Sequence, residues 1–186
     1  MAKIHKRKKF FDVDIPIING QTQLYAFDIK ELEGRDIKYD LTRILRGKNV
    51  LLRLKVLIQG DNATSIPVEL EIMSSFLGKV VRKGTDYIED SFSAESIDAK
   101  LTIKPLLVTR AKVSRQVRKL LREKTKEELI KYVKSKNSEE IFEELLKNRF
   151  QKELSLKLKK IYPLSFCDIR VLKVEKFLKG KEEAKQ

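Results

Sequence analysis

The sequence predicts an α+β protein: a small antiparallel β-barrel or sandwich, then two or three amphipathic helices, then a C-terminal strand. Two observations carry that expectation. From Phe10 to about Thr109 the apolar residues recur mainly with period two, the spacing of strands with one buried face. After Thr109 the period becomes that of an amphipathic helix, and alternation returns only at Phe166.

The elements follow in chain order. Residues 1–9, MAKIHKRKK, carry Lys3, Lys6, Arg7, Lys8 and Lys9 with no acid, and are expected to form a disordered arm. Leu24 to Ile29 is a strand, and the charged stretch around Gly34 a loop. In Val50 to Ile58, Leu52, Leu54, Val56 and Ile58 share one face, with Arg53 and Lys55 on the other. Gly60-Asp61-Asn62 supplies a turn. Ile66, Val68, Leu70 and Ile72 then alternate in a return strand, with Pro67 marking an edge or a strand start. A second strand pair runs from Asp86 to Glu95 and from Lys100 to Val108, joined by Ser96 to Ala99.

Val113, Val117, Leu120 and Leu121 are spaced as the core stripe of a helix, and Thr125 with Glu128 fits a capping box that restarts or bends it. Asn137 with Glu140 offers another cap. From there one helix carries Phe142, Leu146, Phe150, Leu154 and Leu158 and stops before Pro163. Phe166 to Leu178 alternates as a strand. The expected organisation is therefore an arm over 1–9, an antiparallel β domain over 10–109, and a helical segment with its C-terminal strand packed on it over 110–178. A polar tail over 179–186 follows.

Composition narrows the function. Of 186 residues, 41 are lysine or arginine and 27 are acidic, a formal net charge of +14. Such a surplus repels itself unless something anionic neutralises it, and nucleic acid is the first candidate. One cysteine excludes a disulfide framework and a four-cysteine zinc site. A lone His5 in a basic tail excludes histidine catalysis and multi-histidine metal sites. No cofactor and no metal are expected. No apolar run approaches the roughly 18 residues of a membrane span, and no signal peptide follows the charged start, so the expectation is cytoplasmic with no membrane partner.

The most informative element is the helix after Thr109. Arg115, Arg118, Lys119 and Arg122 sit at i, i+3, i+4 and i+7, and Glu123 is the one acid that could relieve them. A solvated face would mix signs, so this face is expected to bind phosphates, for which the planar arginine fork is suited. Further basic groups include Arg46 with Lys48, Arg82 with Lys83, Lys159 with Lys160, and Arg170 with Lys173. A sequence-reading transcription factor would concentrate such residues on one recognition element; their spread suits a chain lying among many RNA helices. Phe10, Phe11, Tyr25, Phe27, Tyr39, Phe76, Tyr87 and Phe92 read mostly as core, so stacking platforms are not expected. Asp86 and Asp90 would share a strand face as a two-carboxylate cluster, the weak basis for a carboxylate-metal nuclease. Cys167, in an apolar strand, reads as a small buried hydrophobe.

Four segments, in order, resemble one family. They are KKFFDV at Lys8 to Val13, VRKGTDYIEDSF at Val81 to Phe92, VSRQVRK at Val113 to Lys119, and KKIYPL with DIRVLK at Lys159 to Leu164 and Asp168 to Lys173. Together they resemble the S3Ae (eS1) family of small-subunit ribosomal proteins of archaea and eukaryotes. The early end after the last signature resembles the archaeal type.

The resemblance implies a structural constituent of the small ribosomal subunit and no enzyme. It implies a place on the platform near the mRNA exit, against small-subunit ribosomal RNA and neighbouring ribosomal proteins, with mRNA nearby. The residues expected to contact RNA are Lys3, Lys6, Arg7, Lys8, Lys9, Arg82, Lys83, Arg115, Arg118, Lys119, Arg122, Lys159, Lys160, Arg170 and Lys173. The alternatives are a free RNA-binding regulator or RNA chaperone and, last, the nuclease.

Overall fold

A computed structural model describes residues 7–45, 47–60 and 62–178. It is α+β, with nine strands and four helices among the described residues, and divides into two compact units. One unit comprises residues 1–39 and 53–68, the other residues 40–52 and 69–186.

The first unit is built on a hairpin of β1 (Lys9–Ile15) and β2 (Gly20–Ala26). Phe11, Val13 and Ile15 alternate with Asp12 and Asp14, and the burial of Val13 and Ile15 fixes which face turns inward. Pro16 opens the 3-10 turn between the strands, and Asn19 closes it in the left-handed region (φ 52°) with its N–H on Pro16 O at 3.2 Å. β1 also runs parallel to the first part of β5 (Asn62–Ile72), pairing Val13 with Ala63. Gly34 takes a positive φ of 71° and donates its N–H to Val56 O at 2.9 Å, laying the loop against β4 (Val50–Gln59). Leu32, Ile37, Leu54 and Val56 are buried in this unit.

In the second unit the end of β5 pairs antiparallel with β9 (Leu164–Phe177) and β9 with β8 (Ala99–Thr109). β8 also takes β6 (Tyr87–Glu89) and β7 (Phe92–Glu95). Pro105 lies at a register shift between Lys104 and Pro105, where the missing N–H is tolerated in a strand paired on both sides. The core joins Leu101, Ile103 and Leu172 of the sheet with Leu121, Leu129, Phe142, Leu154 and Leu158 of the helices. The remaining elements are β3 (Asp36–Asp40), α1 (Ser74–Val80), α2 (Arg115–Lys134), α3 (Ser138–Leu146) and α4 (Arg149–Leu158).

Several expectations are corrected. The strands are sandwich-like and open, not a closed barrel, and in the first unit the parallel β1–β5 pairing makes them mixed instead of purely antiparallel. The strand expected at Leu24 to Ile29 is β2, which ends at Ala26 before a 3-10 turn over Ile29–Leu32. Asp86 to Glu95 is two short strands, because Asp90 Oδ1 accepts the Ser91 N–H at 2.9 Å and turns the chain. Pro67 sits inside β5, between its stretch paired to β1 and its stretch paired to β9.

The helices differ too. Thr125 does not cap: it is buried within an unbroken α2, and its Oγ1 donates to Leu121 O at 2.6 Å. The long helix after Asn137 is two helices, broken where Asn148 adopts φ 54°. The cap of α3 comes from Asp98, whose carboxylate accepts the Ser138 N–H at 2.8 Å and the Ser138 hydroxyl at 2.7 Å.

Candidate nucleic-acid interface

The entrance to α2 is built from buried polar contacts. Thr109, wholly buried, donates its hydroxyl to Asp86 O and Ala111 O and accepts the Asp86 N–H. Asp86 Oδ2 in turn accepts the Val113 N–H at 2.9 Å, and Ser114 caps the helix by accepting from Val117 N–H at 3.4 Å. Asp86 thereby ties the Arg82–Lys83 turn, shaped by Gly84 at φ 88°, to the start of α2. Both basic residues of that turn are exposed.

What this entrance presents is positive. Arg115, Arg118, Lys119 and Arg122 are exposed, and the first turn of α2 contains no acid. Among the described residues, Arg115, Arg118 and Arg122 form no salt bridge, while Lys119 reaches Glu123 at a loose 3.8 Å. Of the four, Arg115 lies in the first turn of α2, where a cation opposes the macrodipole by about 0.3–1 kcal/mol, and the others repel it and one another at three- and four-residue spacing. That arrangement becomes favourable only when an anion joins the N–H groups and the guanidinium forks. Exposed Arg110 and Lys112, just before the helix, extend the same surface and lay outside the sequence expectation because they belong to no periodic element. The core stripe also differs from expectation: Leu121, Thr125, Leu129 and Val133 are buried, Val113 and Val117 are half-buried, and Leu120 is 54% exposed.

The second half of α2 has a different electrostatic character. Lys124 lies 3.2 Å from Glu127 and 3.8 Å from Glu128, and Glu128 also meets Lys131 and, from α4, Lys157 at 2.6 Å. The Lys157 hydrogen bond, assisted by the charges of Lys157, Lys131 and Lys124, holds the Glu128 carboxyl below its usual range. Glu144 is likewise lowered, first by hydrogen bonds from Lys136 and Tyr132.

The other expected contacts divide. Lys159 and Lys160 are exposed in the turn after α4. Lys173 is exposed, directly opposite Glu69 in the β5–β9 register. Arg170 is half-buried and ion-paired to Glu89. Arg7, Lys8 and Lys9 are exposed at the start of the first unit, Lys9 as the first residue of β1. Lys3 and Lys6, most of the arm, and the polar tail lie outside the described residues, as does Arg46. Lys48 is engaged internally: its ammonium donates to Asp168 and Asn148, and Asp168 also accepts from Gln151 at 3.0 Å.

The first unit holds the residues the sequence reading missed. Phe10 and Tyr25, paired in register across β1 and β2, are 68% and 50% exposed, with ring centroids 4.9 Å apart. Phe27 is 40% exposed, and the Lys8 ammonium lies 5.1 Å from its ring and 5.7 Å from that of Tyr25. Aromaticity had suggested core, yet β1 puts Phe10 on the same side as Asp12 and Asp14, and that alternation was the available signal.

Catalytic candidates find other uses. Asp86 and Asp90 are occupied by the Val113 and Ser91 N–H groups, and no cluster of three metal-ligating side chains occurs among the described residues. Burial first, then the Asp168 charge, pushes the Cys167 thiol up to about 12, so it stays protonated. No helix among the described residues is long and apolar enough to cross a membrane.

Comparison with known proteins adds the family. Residues 3–177 match the Ribosomal S3Ae family. The chain is 25% identical over 180 residues to small ribosomal subunit protein eS1 of Nanoarchaeum equitans, covering 91% of this chain and 90% of that protein. It is 27% identical over 179 residues to the protein of the same name from Saccharolobus solfataricus, covering 92% and 86%.

Proposed function

Since the chain belongs to the ribosomal S3Ae family, and so is a structural protein of the cytoplasmic small ribosomal subunit, we propose that it binds ribosomal RNA chiefly through backbone phosphates. The observation that carries this is the entrance of α2. Four exposed cations line the first two turns of α2 with one acid among them, a like-charged face that an RNA backbone neutralises. The exposed Arg82–Lys83 turn, tied to that entrance through Asp86, widens the same contact. Lys159, Lys160 and the basic residues at the start of β1 contact phosphates elsewhere, so the protein bridges separate RNA segments. Neighbouring small-subunit proteins complete its surroundings. Its place is the platform near the mRNA exit, as the family resemblance implies, with mRNA within reach.

Two measurements test the reading together. The protein should sediment with small subunits and leave only at high salt, and its affinity for small-subunit ribosomal RNA should fall steeply as salt rises. A salt slope equivalent to fewer than about three phosphate contacts would overturn it.

A further inference from the structure

The β1–β2 hairpin carries a surface that phosphate binding leaves unexplained. Phe10, Tyr25 and Phe27 are large aromatics left open to solvent side by side, with Lys8 over two of the rings. Exposed apolar groups gathered in one patch mark a contact surface, whereas single ones do not. We infer that this hairpin is a stacking platform for the unpaired bases of single-stranded RNA, a contact that rests on the reading of the chain as an RNA-binding protein.

The chemistry of the rungs selects that occupant. An aromatic ring offers every base a face to stack on, and Lys8, Arg7 and Lys9 supply cations for the connecting phosphates at the same end of the hairpin. Arg35 donates to Tyr25 O at 3.3 Å, adding a further cation there and fixing the edge of β2. The next two rungs are closed on themselves: Gln23 donates to Asp12 at 3.0 Å and Gln21 to Asp14 at 2.8 Å. Their carboxylates repel phosphate, so the backbone is confined to the Lys8 end while bases lie across the rings. A-form duplex cannot use the rings, because its bases are already stacked and paired.

The test compares the full-length protein binding an eight-nucleotide oligoadenylate and an abasic oligomer of equal length and charge, followed by anisotropy. The oligoadenylate should bind at least roughly ten-fold tighter, the contribution of stacking one or two bases. The pair Phe10→Leu with Tyr25→Leu, exposed and still apolar, should lower oligoadenylate affinity to the abasic level with thermal unfolding unchanged. The chain has no tryptophan, so Phe10→Trp supplies a sole indole, whose emission oligoadenylate should quench and the abasic oligomer should not.

Equal affinity for the two oligomers, while ribosomal RNA still binds with a steep salt slope, would overturn the platform and leave the phosphate reading standing. Failure to bind any RNA would overturn both. Loss of subunit incorporation by the leucine pair, with oligoadenylate binding intact, would assign the patch to a protein neighbour and also overturn the inference.

Discussion

The two halves of α2 contain similar numbers of basic residues and do opposite things with them. From Arg115 to Glu123, four cations share one acid, and the three arginines form no salt bridge among the described residues. From Lys124 to Lys134, Lys124 and Lys131 stand beside Glu127 and Glu128 and form a network that reaches Lys157. One helix thus holds a surface in need of an anion and a surface that has already found its own. Counting lysine and arginine cannot separate the two; the positions of the acids at three- and four-residue spacing can.

The comparison breaks most decisively at the first half. Replacing Arg115, Arg118, Lys119 and Arg122 with glutamine keeps good helix formers in place, so unfolding should be nearly unchanged. The slope of log K for ribosomal RNA against log salt should become shallower by about three, as four phosphate contacts go. Incorporation into small subunits should fall with it. An unchanged slope would mean that the RNA surface lies elsewhere.

A smaller change sharpens the contrast by making the first half resemble the second. Gln116 is exposed, three residues before Lys119 and four after Lys112. Gln116→Glu should raise helix stability by about 0.3–1 kcal/mol, because an acid now faces the positive end of the dipole. RNA affinity should drop roughly three- to ten-fold, the size of one charge facing phosphate near the surface. Calorimetry and RNA titration should therefore move in opposite directions; if both moved together, charge would not be what separates the halves.

The paired half should respond weakly. Lys124→Gln with Lys131→Gln should change RNA affinity by less than about two-fold, and lower stability by only about 0.2–1 kcal/mol, as exposed pairs do. An affinity loss matching that of the arginine set would erase the distinction.

Acid gives the mildest contrast. The Glu128 carboxyl is held below its usual range, so the stability it contributes is present above the ordinary glutamate range and is lost as pH falls through its folded value. The thermal midpoint should decline on acidification below that ordinary range. Lys157→Gln should flatten the decline, since the Lys157 hydrogen bond is the largest cause of the lowering. A titration identical in the two proteins would show that the network contributes nothing to stability.

What was legible in the sequence was whatever a single element decides for itself. That β4 and β5 form a hairpin around Gly60 follows from their alternation, and the charge on α2 from spacing alone. The inner face of β5 does not: Ala63, Ser65 and Pro67 are buried while Ile66 and Val68 are only half-buried, and the expected parity returns at Leu70 and Ile72. What was hidden depends on partners. Thr125 looks like a cap, yet position 125 faces the core, and burial with a back-bonded hydroxyl outweighed the local signal. Leu146 and Phe150 keep helical spacing across Asn148, so the apolar rhythm concealed a break made by one left-handed residue. The Phe10–Phe11 doublet masked the alternation of β1, and with it the side on which Phe10 falls. α1 is seven residues long and includes Gly78, too short and too weak a helix former to announce itself.

Asp98 bears on the order in which the second unit can assemble. Its carboxylate caps α3 forty residues away, while its own carbonyl accepts the Leu178 N–H at 2.9 Å, just past the end of β9. A helix of nine residues cannot persist alone in water, so α3 gains its start only once the turn between β7 and β8 has closed. The last strand then locks onto the same residue. Three segments far apart in sequence thus meet at one residue, and the loop-closure entropy must be met before any of them is rewarded. Refolding of this unit should accordingly be one slow, concerted step, in which helix signal and sheet signal rise at the same rate.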